Sequence, residues 1–312
     1  MSISPSSTRA INRIAIAQLR STRNKHTNLI NIAKTAGWAK RDGAKMLFLP
    51  ECLGFIGDSA EHTVLNADPS IEVQMKNSCD DDGVLPMNTF REALAATIES
   101  CSLSPDELQH DDKGSCNDEY NGEGNIESIV AELRFIAKHS NLWISGGGVH
   151  TKATSTTTSP GDESSSSKIY NTHVIIDERG QITSFYHKIH LFDVSIPGKV
   201  NLKESNTTAP GHKLVVCDSP IGKLALTICY DMRFPEMYME LVQTGGAEVI
   251  LVPSAFTVPT GLAHWHALLR ARAIESQCYV IAAAQVGQHN EKRRSYGHSL
   301  AYNPWGTLLV DA

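Results

Sequence analysis

Three residues in this sequence combine reactive side chains with positions that could hold them rigidly. Cys229 ends the apolar run L-A-L-T-I and is followed by Y-D-M-R-F-P-E. A thiol at such a strand-to-helix junction faces the carboxyl edge of a sheet, where helix-start N–H groups can stabilise a thiolate or an oxyanion. Glu51 follows K-M-L-F-L-P. At the end of a buried strand, partial burial would raise its pKa towards that of a useful general base. Lys188 lies in F-Y-H-K-I-H-L-F-D, where aromatic and apolar neighbours could hold it in a dry pocket as a fixed positive charge.

Taken singly, each residue also has a plain structural role. Cys229 could be inert core, Glu51 a surface acid, and Lys188 a strand lysine snorkelling to water. Glu204, in P-G-K-V-N-L-K-E-S-N, carries no local mark and reads as a loop acid. His187 and His190 are three apart on extended chain and do not converge on a metal.

The elements around these residues read as an α/β chain. Arg13 to Leu19 alternates as a first strand, and Asn28 to Ala39 has helical apolar spacing. Lys45 to Leu49 is a short apolar run suited to a buried parallel strand. Ile126, Ile129, Val130, Leu133 and Ile136 share one helical face, and Leu142 to Val149 forms the next strand, through three glycines. Further strands fall at Thr172–Asp177, Ile182–Phe185, Lys223–Ile228, Glu248–Pro253 and Cys278–Ala284, with helices at Phe234–Gln243 and Leu262–Ser276. Arg179-Gly180 makes a tight turn. Two stretches, Ser104–Asn125 and Thr151–Ser167, are too polar to join a core and read as surface loops.

Composition narrows the partners. A net charge of −6 gives no basic footprint for nucleic acid. No apolar run approaches the roughly 20 residues needed to span a bilayer. Seven cysteines, an odd number without a C-x-x-C pair, fit neither a disulfide framework nor a zinc knuckle and suit a reducing compartment. Met1 to Arg13 lacks an apolar signal region but has serines, two arginines and no acid. A cytoplasmic location is expected, with a mitochondrial one as the alternative.

The combination decides what the parts leave open. A glutamate after L-P, a lysine in Y-x-K-x-H-L and a cysteine in C-Y-D-x-R-F, in that chain order, closely resemble the nitrilase superfamily. Ala263–Gln285, R-R-S-Y-G-H-S-L at Arg293–Leu300 and the turn Asn303-Pro304-Trp305-Gly306 resemble its Nit branch. The resemblance covers residues 10–312 as a single carbon-nitrogen hydrolase domain, with polar insertions near 104–125 and 151–167.

That resemblance implies a four-layer α-β-β-α sandwich, pairing of subunits through the outer helices into a homodimer, and no metal or organic cofactor. It implies Glu51 as base, Lys188 with the Tyr230 N–H as oxyanion stabilisers, Cys229 as nucleophile, and Glu204 as the second glutamate that orients Lys188. Within the branch, the motifs look most like those of enzymes that cleave the amide of deaminated glutathione. The alternatives are an omega-amidase acting on 2-oxoglutaramate or 2-oxosuccinamate, and a catalytically silent scaffold. Arg233 is suited to a substrate carboxylate, or to a structural ion pair, and Phe256 and Thr257 are expected to line the same pocket. Family members usually continue past W-G-T-L-L-V-D-A with one more strand and an interface segment. A chain stopping at Ala312 is therefore expected to be a fragment or a variant gene model.

Overall fold

In the computed structural model, described here for residues 12–79, 87–103, 126–153, 168–196 and 200–312, one strand reveals the layering. Met46–Glu51 is buried along its whole length, so both of its faces are covered. Side chains alternate across a strand. Met46 and Phe48 accordingly join one core and Leu47 and Leu49 another. Leu47 and Leu49 pack with residues of the helices Lys25–Arg41, Thr89–Ser102 and Ile129–Ser140. Each buried leucine contributes about 1.5–3 kcal/mol relative to exposure. Met46 and Phe48 meet a second sheet, whose other face is covered by Pro235–Gln243 and Val258–Ser276. The result is helix, sheet, sheet, helix.

The first sheet has the strand order Ile14–Ile16, Met46–Glu51, Trp143–Lys152, Ile169–Ile176, Ile182–His187. Its first three strands are parallel and the last two antiparallel. The second has the order Leu308–Asp311, Leu300–Tyr302, Tyr279–Ala282, Val249–Leu251, Leu224–Leu226, Val216–Cys217, with a parallel centre. Helix starts are capped as their sequences allow: Asn24 and Ser128 side chains accept N–H bonds from Thr27 and Ala131. Buried Asp68 accepts the N–H groups of Ile129 and Val130. Gly180 takes φ +80°, and its N–H closes the expected turn onto Asp177 O.

Two expectations need correction. The Arg13–Leu19 strand is split: Ile14–Ile16 pairs with Met46–Glu51, whereas Gln18–Leu19 pairs with Ala284–Gln288. The break at Ala17 lets one segment serve two sheets. The polar stretch Thr151–Ser167 does not begin as a loop. Thr151 and Lys152 end the Trp143–Lys152 strand, and Thr151 is fully buried with its hydroxyl 2.7 Å from that of Thr172. A threonine can fill a core position when its hydroxyl is satisfied, which composition does not reveal. Residues 154–167 and the 104–125 stretch lie outside the described residues.

Candidate active site

Glu51, Lys188 and Cys229 come from three strand ends and meet in the interior. Glu51 closes the Met46–Glu51 strand and is 4% exposed. Lys188 follows the Ile182–His187 strand and is 2% exposed, so it does not snorkel. Its ammonium donates to Glu51 Oε1 at 3.0 Å and to Glu204 Oε2 at 3.0 Å. Cys229 opens a short 3-10 turn, Cys229–Arg233, ahead of the helix Pro235–Gln243. It takes φ +50°, an unusual value for a residue with a side chain, and donates its N–H to Pro253 O at 2.9 Å. Cys52, directly after Glu51, is also left-handed at φ 58°.

One buried carboxylate locks the lysine segment to the cysteine turn. Asp231 accepts from Tyr186 Oη at 2.8 Å, from the Ile228 N–H at 2.9 Å and from the His190 N–H at 3.0 Å. Lys188 sits midway between Tyr186 and His190, and Cys229 between Ile228 and Asp231. This explains physically why the Y-H-K-I-H and I-C-Y-D segments belong together. His190 also places Nδ1 2.8 Å from Asp231, while His187 lies 3.6 Å from Glu72. The two histidines therefore engage different partners.

Glu204 is more than a loop acid. It starts the 3-10 turn Glu204–Asn206, and its Oε2 accepts the Phe192 N–H at 2.7 Å as well as Lys188. Sequence reasoning missed further partners of Glu51. Asn171 donates Nδ2 to Glu51 Oε1 at 2.9 Å, the Ala255 N–H to Oε2 at 3.0 Å, and Gln285 Nε2 to the Glu51 carbonyl at 3.0 Å. A polar Asn171 inside the buried run I-Y-N-T-H-V-I-I was a usable signal. Gln285 and the Ala255 N–H had none.

The charges settle into a definite resting state. Burial pushes the Glu51 pKa up, but the Lys188 charge and hydrogen bonds from its neighbours outweigh burial and hold it below the usual carboxylate value. The raised pKa expected from strand-end burial is thus overturned, because a buried ammonium lies against the carboxylate. Lys188 moves well above its ordinary value: burial opposes its charge, and Glu51 and Glu204 overcome that. Burial and the Glu51 charge raise the Cys229 thiol well above its normal pKa, against Lys188 and the Ala255 N–H. At neutral pH the arrangement is a thiol beside a ready carboxylate proton acceptor. His150 is kept neutral by burial, with its pKa pushed down to about 4 against the pull of Glu204 and Glu51.

The remaining expected residues sit as follows. Tyr230 follows Cys229, and its N–H, in the first turn of the 3-10 segment, has no acceptor among the described residues. Arg233 bonds His264 at 3.1 Å and lies 5.6 Å over the Tyr230 ring. Phe256 is buried against Trp265, with ring centroids 5.0 Å apart. Thr257 stands at the N-cap position of the helix Val258–Ser276 without a side-chain capping bond, and its hydroxyl is 2.8 Å from that of Thr260.

The chain and its fold have known relatives. The chain belongs to the carbon-nitrogen hydrolase family, whose model matches residues 13–312. It is 39% identical over 302 residues to the deaminated glutathione amidase of Dictyostelium discoideum, covering 96% of this chain and 83% of that one. The crystal structure of the Caenorhabditis elegans NitFhit protein matches with a TM-score of 0.69 and 35% identity over 97% of this chain, which spans 59% of that longer protein. Saccharomyces cerevisiae Nit3, a member of branch 10 of the nitrilase superfamily, matches with a TM-score of 0.66 and 25% identity, over 96% of this chain and 85% of that one.

Proposed function

We propose that this chain is an amidase that hydrolyses deaminated glutathione to 2-oxoglutarate and cysteinylglycine through a thioester on Cys229. The observation that carries the chemistry is the buried Lys188 ammonium, 3.0 Å from Glu51 and Glu204 and acting on the Cys229 thiol. The substrate follows from the 39% identical Dictyostelium relative and from a human relative of the same name, 37% identical over 298 residues.

An amide carbonyl is a poor electrophile, and a thiolate attacks it better than water does. Glu51 takes the Cys229 proton as sulfur bonds to the carbonyl carbon. The oxyanion that forms faces Lys188 Nζ and the Tyr230 N–H. Collapse breaks the C–N bond while Glu51 passes its proton to the departing nitrogen. Glu51 then deprotonates a water that attacks the thioester, and the returned proton regenerates the thiol. Glu204 orients Lys188 throughout, held by the Phe192 N–H. Exposed apolar residues on and beside the Val258–Ser276 helix, Leu262, Ile274 and Trp305, support pairing of two copies through this outer layer. No disulfide joins Cys52, Cys217, Cys229 and Cys278, which suits a reducing, cytoplasmic setting. Among the described residues no helix is long and apolar enough to cross a membrane.

Kinetics on deaminated glutathione and 2-oxoglutaramate with purified protein test this reading. Higher kcat/KM on deaminated glutathione is expected. Preference for 2-oxoglutaramate would make it an omega-amidase, and turnover of neither would make it a silent scaffold.

A further inference from the structure

Three side chains outside the active site converge on one point of the outer layer. His266 comes from the helix Val258–Ser276, His298 from the turn ahead of the Leu300–Tyr302 strand, and Asp311 from the end of the Leu308–Asp311 strand. Asp311 Oδ1 lies 2.9 Å from His298 Nδ1, and Asp311 Oδ2 lies 3.7 Å from His266 Nε2. One ligand atom from each of the three lies within 4.8 Å of the other two. The two imidazole rings meet edge to face, with centroids 5.3 Å apart. The side-chain hydrogen bonds of this cluster run to Tyr302 and within itself, not to Glu51, Lys188 or Cys229.

The fold holds each of the three in place. The His298 backbone is left-handed, at φ +61°, and its carbonyl accepts the Trp265 indole N–H at 2.8 Å. Trp265 is buried, so it ties His298 to the helix residue next to His266. Asp311 pairs with Leu300, and the following Ala312 N–H donates to Ser299 O at 3.0 Å. The hydroxyl of buried Tyr302 lies 3.3 Å from His266 Nδ1. A ring engaged at Nδ1 presents Nε2, and such an outer partner is what orients a ligating histidine.

An ion pair satisfies only half of this cluster. At 3.7 Å, His266 Nε2 is beyond hydrogen-bonding reach of Asp311. Bonds of about 2.0–2.2 Å around a tetrahedral zinc ion put its donor atoms roughly 3.3–3.6 Å apart. The two measured separations, 2.9 and 3.7 Å, bracket that spacing. Two imidazoles and a carboxylate suit a divalent transition-metal ion, whereas calcium and magnesium take oxygen ligands. The three side chains keep between 27% and 41% of their surface open to solvent, so an ion can enter and hold water at its fourth position.

We propose that His266, His298 and Asp311 bind one divalent transition-metal ion, zinc by their donor set, which fastens the Leu308–Asp311 strand to the helix Val258–Ser276. The ion is structural and takes no part in the chemistry at Cys229, so the proposal does not depend on which amide is cleaved.

The test titrates zinc chloride into the purified full chain, stripped beforehand with EDTA, at neutral pH in a calorimeter. Cobalt(II) then serves as an optical probe of the same site. The wild type should bind one zinc ion per chain with a micromolar or tighter Kd. Its cobalt form should show a d–d spectrum without the charge-transfer band of a thiolate ligand. His266→Gln and Asp311→Asn should each weaken zinc binding by on the order of 100-fold. Zinc should raise the Tm of the wild type by several degrees and leave both variants unmoved, since an ion that binds only the folded chain stabilises it. Without zinc, both variants should match the wild type in circular dichroism, which separates loss of a ligand from loss of the fold. A wild type that binds no zinc at millimolar concentration overturns the assignment. So does a thiolate band from the bound cobalt, which would place the ion on a cysteine, or undiminished zinc binding in either folded variant.

Discussion

The Cys229 thiol is held protonated at rest by burial and by the Glu51 carboxylate, and two substitutions separate its chemistry from its packing. Cys229→Ala removes the proposed nucleophile and should abolish hydrolysis while leaving the circular dichroism spectrum native. More than trace activity in a folded variant would rule out the thioester route. Glu51→Gln should also abolish turnover, yet it should make the thiol more acidic. Glu51 raises the thiol pKa through its charge, while Lys188 lowers it and would remain. The ultraviolet thiolate signal attributable to Cys229 should therefore appear at lower pH in Glu51→Gln than in the wild type. An onset at equal or higher pH would mean that burial alone sets the thiol. Glu51, Lys188 and Cys229 could be marked as candidates from their local segments, but each also had a plain structural reading, and only their combination in the family resemblance singled them out. Glu204 was legible only through resemblance, since it approaches Lys188 from the 3-10 turn Glu204–Asn206 that the local pattern does not mark. Asp231 went unread as the group that joins the two segments, because its partners Tyr186 and His190 lie 45 and 41 residues away.

At the scale of elements, the three glycines of Trp143–Lys152 show how strands must approach to bring Glu51 and Cys229 together. A Cβ at Gly147 would lie 2.1 Å from Leu49 O and 2.4 Å from Pro253 Cβ. Leu49 belongs to the strand that ends in Glu51, and Pro253 O receives the Cys229 N–H. Both neighbours are too constrained to yield. Gly147→Ala should then cost at least about 1–3 kcal/mol by overpacking, and should reduce kcat by displacing Glu51 relative to Cys229. Gly246→Ala is the contrast: φ is +69° with open space around it, so only the backbone conformation is strained, by about 1–2 kcal/mol, and kcat should hold. Urea unfolding with steady-state kinetics checks both. If the two variants lose stability but kcat falls in neither, the close strand approach does not position Glu51 for turnover. Helix and strand types were readable from periodicity. The split at Ala17 and the buried Thr151 were not, because each is decided by a partner distant in sequence: Ala284–Gln288 in one case, Thr172 in the other.

For the molecule as a whole, the two sheets are bridged near the site by one buried histidine. His173 lies in Ile169–Ile176 of the first sheet, fully buried, with Nε2 2.7 Å from Ser145 Oγ. Its Nδ1 lies 3.1 Å from Thr227 O, at the end of the second-sheet strand that leads to Cys229. A carbonyl can only accept, so Nδ1 carries the proton and Nε2 accepts from Ser145. Burial pushes the His173 pKa from 6.5 down to about 4, with the Thr227 carbonyl pulling weakly the other way. The folded protein thus keeps this ring neutral, while the unfolded chain protonates it below 6.5. Its stability contribution is intact above pH 6.5 and is lost as pH falls towards 4. Over that interval one such histidine removes about 3 kcal/mol, at 1.36 kcal/mol per pH unit of displacement. Urea unfolding of the wild type and His173→Gln between pH 7 and pH 4 reads the effect as a slope. The variant should begin less stable, having lost a satisfied buried ring, but should decline less steeply with acid. Parallel declines would show that His173 does not couple the sheets to pH. Because the bridge ends two residues before Cys229, loss of the native near-ultraviolet signal and loss of amidase activity should follow the same acid transition.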